Sequence, residues 1–193
     1  MTAYASTTEF KNYARIDSTD TTDDAVIGDI LEAASRLIDT ETRRTFYARI
    51  ETRNYDVPDG NTLYIEDDDL LAITTLTNGD DTVLASTEYI LMPANSYPKY
   101  AIKIKQSSDY TWESESDGDY EQVISILGSW GYSYSAPADI QEACLEIATA
   151  FYHRRFGENM AAESTLTAGG VMITPKDIPA SARSILMNYA RLA

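Results

Sequence analysis

The sequence contains few side chains of the kinds that carry nucleophilic, acid–base or metal chemistry. It has one histidine, His153, and one cysteine, Cys144, in 193 residues. A Ser-His-Asp or Cys-His system would have to use His153, but Arg154 and Arg155 follow it at a predicted helix end, where cations neutralise the terminal carbonyl groups. One His and one Cys nine residues apart also fall short of a zinc ligand set. We predict no catalytic and no metal-binding residue, and we interpret Cys144 as a small core residue.

Alternating acids raise a second possibility, a calcium site. Residues Glu113–Glu121 follow the oxygen-ligand spacing of an EF-hand loop, but Ile124 stands where the bidentate Glu is required. The flanking segments also have the pattern of strands, not of helices. We therefore interpret Glu113–Glu121 as the acidic tip of a β-hairpin, and the acids at Glu66–Asp69 as a solvated turn.

Nucleotide binding and glycoside hydrolysis are the remaining chemistries to consider. The pair Gly169-Gly170 lacks the Gly-Lys-Ser/Thr of a phosphate loop, so no nucleotide and no other cofactor is predicted. Paired carboxylates for glycoside hydrolysis stay open, because their separation is a three-dimensional property. An enzyme of an unrecognised type also stays open, although we predict a protein that is not an enzyme.

The distribution of charge argues against nucleic-acid recognition. Formal net charge is −16, and the stretch Asn54–Tyr152 has 18 acidic residues against three lysines. Such a field repels phosphates, so a sequence-specific DNA or RNA binder is not expected. The acids either keep the protein soluble or let DNA slide past without sticking. No apolar run approaches the length of a membrane span, and the first ten residues lack a signal-peptide pattern, so we expect a soluble protein made inside a cell.

Apolar spacing predicts about four helices. The clearest is Thr21–Thr42, with Thr21 and Asp24 resembling a capping box. A shorter helix, Thr7–Arg15, is expected to begin at a Ser6 or Thr7 cap, with Phe10, Tyr13 and Ala14 facing inward. The third helix is predicted to begin at Pro137 and end at Gly157, and the fourth to begin at Pro179.

A period of two predicts strands in the middle of the chain. Phe46, Ala48, Ile50 and Thr52 are expected to form the buried face of the first strand. Turn signals bracket the other predicted strands: Leu63–Ile65, Leu70–Leu76, Thr82–Ala85, Tyr89–Met92, Tyr100–Lys105 and Gln122–Trp130. At the corner after the last strand, Gly128 and Gly131 are expected to permit a bend and Trp130 to plug the core.

These elements predict an α+β fold in a single domain of residues 1–193. A small helical core, residues 7–45 and 134–193, is expected to carry an inserted antiparallel β region, residues 46–133. The connection Glu158–Ile178 is long for a compact domain, which is typical of a functional segment or one that orders on binding.

Three stretches resemble the head–tail connector (adaptor, or head completion) proteins of long-tailed bacteriophages. They are TDDAVIGDILEAASRLIDTETRRTFY at Thr22–Tyr47, GSWGYSYSAPADIQEACLEIATAFYHRR at Gly128–Arg155, and DIPASARSILMNYAR at Asp177–Arg191. They occur in the order and approximate spacing of that family. The intervening β region matches only in general character, so the resemblance leaves its role open.

The resemblance implies a structural virion protein without catalytic activity. It implies a homo-oligomeric ring, commonly of twelve copies, that binds the portal protein at the head–tail junction and assembles in the host cytoplasm. DNA would pass through the ring without sequence-specific binding, and a stopper or other neck or tail protein would dock below. The alternatives are another neck or tail-completion protein, or a non-catalytic β-rich module that binds carbohydrate or calcium.

Within that picture, two groups of residues are the candidate contact sites. The bases expected to meet acids on a neighbouring copy are Arg36, Arg43, Arg44, Arg154 and Arg155. The residues expected to reach the portal are Tyr189, Arg191 and Leu192, in the last helix and the tail that follows it.

Overall fold

A computed structural model describes residues 3–65, 68–156 and 178–191 of the protein. The chain divides into two compact units. The first consists of Met1–Arg44 together with Ala136–Ala193, and the second is Thr45–Ser135. Both helices and antiparallel sheets are present, which confirms the predicted α+β class. The elements in chain order are α1 (Thr7–Ala14), α2 (Asp24–Thr42), β1 (Arg49–Tyr55), β2 (Thr62–Tyr64), β3 (Leu70–Thr77), β4 (Tyr89–Met92), β5 (Ala101–Ile104), β6 (Ile124–Trp130), α3 (Ala138–Phe156) and α4 (Ala180–Met187).

The first unit, the helical unit, is built from the four helices. The central pair is α2 and α3, and α1 and α4 each pack on both of them. Their apolar stripes meet in one core, as the spacing predicts. The fully buried side chains of that core include Phe10, Ile27, Leu31, Ala34, Ile38, Ile140, Cys144, Ile147 and Ala182.

The start of α1 is a capping box, with Ser6 as the cap. The Ser6 hydroxyl accepts a hydrogen bond from the Glu9 amide at 3.2 Å, and the Glu9 carboxylate accepts one from the Ser6 amide at 2.7 Å. These bonds satisfy backbone donors that the first helical turn leaves unpaired. The prediction of a cap at this point is confirmed.

Two details of the helix predictions were wrong. The cap of α2 is Asp23, and no Thr21 capping box forms, because the nearby carboxylates have other partners: Asp23 accepts from the Tyr152 hydroxyl at 3.0 Å. On α1, Tyr13 is exposed and Lys11 is buried instead. The buried Lys11 ammonium pairs with Asp24, which ties α1 to the start of α2.

The second unit, the β unit, contains two three-stranded antiparallel sheets. Sheet A has the order β1-β6-β3, and sheet B has the order β2-β5-β4. One cluster of buried side chains draws on both sheets, including Leu70 and Trp130 from sheet A and Leu63, Ile102 and Ile104 from sheet B. The inner faces of the two sheets therefore share one core.

The predicted orientation of the first strand was wrong. β1 pairs with β6 so that Arg49, opposite Trp130, and alternate residues after it lie on the core side, and Ile50 is 79 % exposed. The alternation breaks between Phe46, which is buried, and the strand itself, which begins at Arg49. A shift of one residue in the alternation places every side chain of a strand on the opposite face.

Two other β predictions were also wrong. Thr82–Ala85 forms no strand, and only a single bridge between Thr77 and Val83 remains of it. The acidic segment Glu113–Glu121 is not a hairpin tip, because the strands on either side of it, β5 and β6, belong to different sheets. Its acids lie in a local turn, in which the Glu115 amide donates to the Asp119 carbonyl at 2.8 Å.

Two glycines shape the corner at the end of β6. Gly131 has a φ of +144°, and a Cβ there would lie 2.3 Å from the Tyr47 carbonyl oxygen. At Gly128 the backbone of β3 approaches closely, so that a Cβ would lie 2.5 Å from the Ala72 carbonyl oxygen. Both positions therefore require glycine, one for its conformation and both for space. Trp130, between them, is buried in the core of the β unit, as expected.

Candidate functional site

Of the three bases proposed on α2 and just after it, Arg36 and Arg44 have partners within the chain. The Arg36 guanidinium pairs with Asp39 at 2.7 Å and with Glu32 at 3.5 Å. Arg44 donates from Nε to the Tyr189 carbonyl oxygen at 2.8 Å. Arg43 is the exposed C-terminal cap of α2 in a left-handed conformation. Of these three, Arg43 has the most accessible charge.

The bases at the end of α3 form a different kind of surface. His153, Arg154 and Arg155 all lie exposed in its last turn. The guanidinium carbon of Arg154 lies 5.5 Å from the Phe151 ring centre, and that of Arg155 lies 5.7 Å from the Phe156 ring centre. These are cation–π contacts. A shallow cavity of about 320 Å³ is lined by Phe151, Arg154 and Arg155. The arrangement offers a cationic and aromatic surface to an acidic partner.

The proposed portal-contacting residues are held against the helical unit. The Tyr189 hydroxyl donates to the Asp139 carboxylate, with 2.7 and 2.9 Å to its two oxygens. The Arg191 amide donates to the Thr42 carbonyl oxygen at 3.1 Å. Leu192 lies outside the described residues, as does most of the Glu158–Ile178 connection. The end of α4 is therefore anchored at two points before the tail begins.

The acids of the β unit are concentrated in its loops. Residues 45–135 contain 16 acidic and five basic residues, a net charge of −11. Of those acids that the structure describes, Glu51 alone lies within a strand. No group of three or more His, Cys, Asp or Glu side chains lies where it could hold a metal ion, in the part of the chain that the structure describes. The loops thus form an acidic rim around the sheets.

Sequence reasoning missed a cluster of charged and aromatic residues on the core side of β1. The Arg53 guanidinium lies over the Trp130 ring, pairs with Glu51 at 3.1 Å and contacts Asp68. Trp130 Nε1 donates to the Glu51 carbonyl oxygen at 3.0 Å. The signal that could have revealed this cluster is the alternation of Arg49, Glu51 and Arg53 along β1. Their opposite charges can pair with one another, but hydropathy alone assigned the other side of the strand to the core.

Tyr55 completes this cluster. Its ring stacks on Trp130 with 6.1 Å between the ring centres, and its hydroxyl donates to Asp68 at 2.6 Å. Burial raises the pKa of Tyr55 well above its ordinary value, and the hydrogen bond to Asp68 raises that pKa further. Because Arg53, Glu51, Asp68 and Tyr55 each have a polar or charged partner within it, the cluster has the properties of a structural support for the sheet.

Among the described residues, no helix is both long and apolar enough to cross a membrane.

The chain is similar in fold to three solved structures. The first, the neck of an empty gene transfer agent particle computed with six-fold symmetry, is 17 % identical with a TM-score of 0.61, over all of this chain and 94 % of that one. The second, the neck of the native particle computed with twelve-fold symmetry, is 16 % identical with a TM-score of 0.59 over the same shares. The third, the virion of the native particle, is 18 % identical with a TM-score of 0.57, over 98 % of this chain and 91 % of that one.

No match was found among the curated proteins. A family model described as head completion protein matches residues 3–192, which is nearly the whole chain and includes both units. The resemblance seen in three separate stretches of sequence thus extends through the β region as well. The chain therefore belongs to the head completion protein family, whose members have a structural role in the virion at the head–tail connection.

Proposed function

We propose that the protein forms a ring, of twelve copies, that attaches to the portal protein at the head–tail junction. The observation that carries this proposal is the head completion family match over residues 3–192. The fold similarity to neck structures computed with six-fold and twelve-fold symmetry supports a ring. DNA passes through this ring, a stopper or tail protein docks below it, and the ring is assembled in the host cytoplasm without catalysis.

The charge of the chain supports passage of DNA. A lining rich in Lys and Arg would hold the duplex, because each phosphate contact adds electrostatic attraction. The β unit, with its net charge of −11, repels phosphates instead. A ring whose channel is bordered by such units allows the duplex to move without being retained.

The test of this proposal is electron microscopy of capsids that carry the portal, with and without added protein. We expect a ring below the portal only when the protein is present. Native mass spectrometry of the detached ring would give the number of copies. A protein that stays monomeric in both assays, and leaves the portal uncovered, would refute the proposal.

Arg154 and Arg155 are the best supported of the proposed inter-subunit bases, because they are exposed and braced by aromatic rings. An acidic loop of a neighbouring copy is the partner that their charge favours. The double variant Arg154→Glu, Arg155→Glu should therefore prevent ring assembly. Arg183→Glu is the control, since Arg183 is an exposed base on α4 of the same unit. Normal rings from the double variant would exclude these residues from the contact.

The contact with the portal is proposed for the tail that follows α4. A deletion from Tyr189 onward would also remove the hydrogen bonds of Tyr189 to Asp139 and Arg44. A chain that ends at Ala190 keeps those bonds and lacks Arg191, Leu192 and Ala193. We expect this shortened chain to retain its circular dichroism spectrum and to pellet with portal-bearing capsids less well than the full chain. Equal pelleting would exclude the tail from portal binding.

A further inference from the structure

The outer faces of both sheets of the β unit carry no carboxylate. Among the acids of this unit that the structure describes, all but Glu51 lie in loops, and Glu51 is on the core side of sheet A. A sheet that faces water normally alternates buried apolar residues with exposed polar and charged ones. In a chain with a net charge of −16, two faces free of acids require an explanation.

The outer face of sheet A, which we call face A, consists of three cross-strand rows. Ile50 is the β1 residue of the first row, and in the second row Leu127 of β6 lies between Thr52 of β1 and Thr75 of β3. Its nine residues are Ile, Leu, Ala, Ser, Thr and Asn, so the face has no charge of either sign. None of the nine is fully buried, and Ile50 is 79 % exposed. Face A is therefore an accessible, uncharged surface with an aliphatic centre.

The outer face of sheet B, which we call face B, has two cross-strand rows. One row contains Ile90 next to Lys103, and the other contains Tyr64 and Met92 on either side of Ala101. Tyr64 is 61 % exposed and Ile90 is 45 % exposed. The single charge is that of Lys103, and it is positive. Face B thus also has accessible apolar side chains and no acid, although Ala101 at the centre of its second row is buried.

Depletion of charge is the compositional signature of the centre of a protein–protein interface. Burying a carboxylate without a partner is far more costly than burying Ile or Leu, or a Thr or Ser whose hydroxyl keeps a hydrogen bond. Two copies of a chain with 31 acids can therefore approach most easily where neither copy presents one. This reasoning selects a second copy of the chain as the occupant of these faces, because it is the partner whose own faces have matching character.

Ring symmetry then decides which face meets which. In a closed ring of more than two copies each interface is heterologous, so it joins two different surfaces of the subunit. With twelve copies, successive subunits are rotated by only about 30°, and these two surfaces lie on nearly opposite sides of the subunit. Within the β unit, faces A and B provide two such surfaces, since they are the outer sides of two sheets that share one core. We propose that face A of one copy packs against face B of the next copy in the ring.

The size of the faces sets what this contact can contribute. On face A, three strands about 4.8 Å apart and about seven residues long cover roughly 300 Å², and face B, whose strands are three or four residues long, covers about half of that. A stable interface buries about 800 Å² on each partner. The contact between the faces is therefore the uncharged centre of the interface, and the remaining area comes from other surfaces of the same two copies.

This inference rests on the proposed ring, and the first test adds one negative charge to face A. Ile50→Glu should reduce the number of rings on portal-bearing capsids at least tenfold, as counted by electron microscopy. Met187→Glu is the matched control, because Met187 is an exposed, unbranched aliphatic residue of α4 that lies outside both faces. Since Ile50 is exposed, both variants should keep the melting temperature of the original protein. Adding Ile90→Lys to Ile50→Glu should restore the rings, because the new charges attract each other across the proposed contact.

The second test is crosslinking with a short bismaleimide in assembled rings, where the native Cys144 is buried. Ile50→Cys and Ile90→Cys should each give no crosslink alone, and should give dimers when the two variants are mixed before assembly. Crosslinks in the Ile50→Cys variant alone would overturn the proposed pairing. Normal rings from Ile50→Glu would overturn it as well and leave the ring proposal intact. An original protein that forms no ring would refute both proposals.

Discussion

The guanidinium carbon of Arg53 lies 4.5 Å from the centre of the Trp130 ring. This contact places a charged residue on the core side of β1 and turns Ile50 toward solvent. Glu51 and Asp68 balance the charge of Arg53, so the buried side of the strand is electrically satisfied. The character of face A therefore depends on a cluster located on the other side of the same sheet.

Removing this cation should weaken the β unit. We expect Arg53→Met to lower the free energy of unfolding by about 1–2 kcal/mol, the usual range for a partly desolvated cation–π contact, with its ion pairs adding little. Urea unfolding followed by tryptophan fluorescence measures this, since both tryptophans, Trp112 and Trp130, lie in the β unit. The same change at the exposed Lys103 should alter the free energy by less than about 0.5 kcal/mol. Equal effects of the two variants would contradict the proposed role of Arg53.

Tyr55 should make the β unit sensitive to alkaline pH. Its pKa in the folded chain is raised by burial and by the bond to Asp68, so the folded state keeps a proton that the unfolded state has already released near pH 10. The stabilisation is complete below the pKa of the unfolded chain and is lost as the pH rises above it. Unfolding midpoints in urea should therefore fall above about pH 10. Tyr55→Phe should make that fall clearly shallower, and an unchanged slope would disprove the assignment.

Two glycine-to-alanine substitutions, one at the end of β6 and one in α2, should have opposite effects on stability. Gly128→Ala should destabilise the β unit by about 1–3 kcal/mol, because the added methyl group meets the Ala72 carbonyl oxygen. Gly28→Ala should stabilise the helical unit by about 1 kcal/mol, because Gly28 lies inside α2 with open space around it. Tryptophan fluorescence reports on the β unit and circular dichroism at 222 nm on the helical unit. A tolerated Gly128→Ala would show that the strands can separate there.

Cys144 should be unreactive in the folded protein. Its side chain is fully buried, burial raises the pKa of its thiol, and its sulfur lies 3.5 Å from the Ser35 hydroxyl. A thiol that is both inaccessible and protonated reacts slowly with disulfide reagents. We expect labelling of Cys144 only in denaturant, at a rate that follows global unfolding. Rapid labelling of the folded chain would contradict this and would also remove the background-free condition of the crosslinking test.

Local patterns in the sequence were sufficient for the helices. The spacing of Ile27, Leu31 and Ile38 produces an apolar stripe on α2 wherever that helix lies. On α1, Ser6 and Glu9 form the cap within a single turn. The α+β class followed from the same periodicities. The order of the three family-like stretches also pointed to the head completion family, which the match over residues 3–192 then established.

The strands depended on partners distant in the sequence. β1 alternates Arg49, Glu51 and Arg53 with Ile50 and Thr52, and simple hydropathy assigned the wrong set to the core. The pairing of β1 with β6 brings Trp130 to Arg53, and the pairing of β3 with β6 brings Asp68, which lies just before β3. These contacts offset the cost of turning charged side chains inward. The two acid-free faces arise in the same way, because the register across three strands decides which residues share a surface. A helix is specified by contacts within one turn, whereas the faces of a sheet are specified by contacts that exist only after the chain has folded.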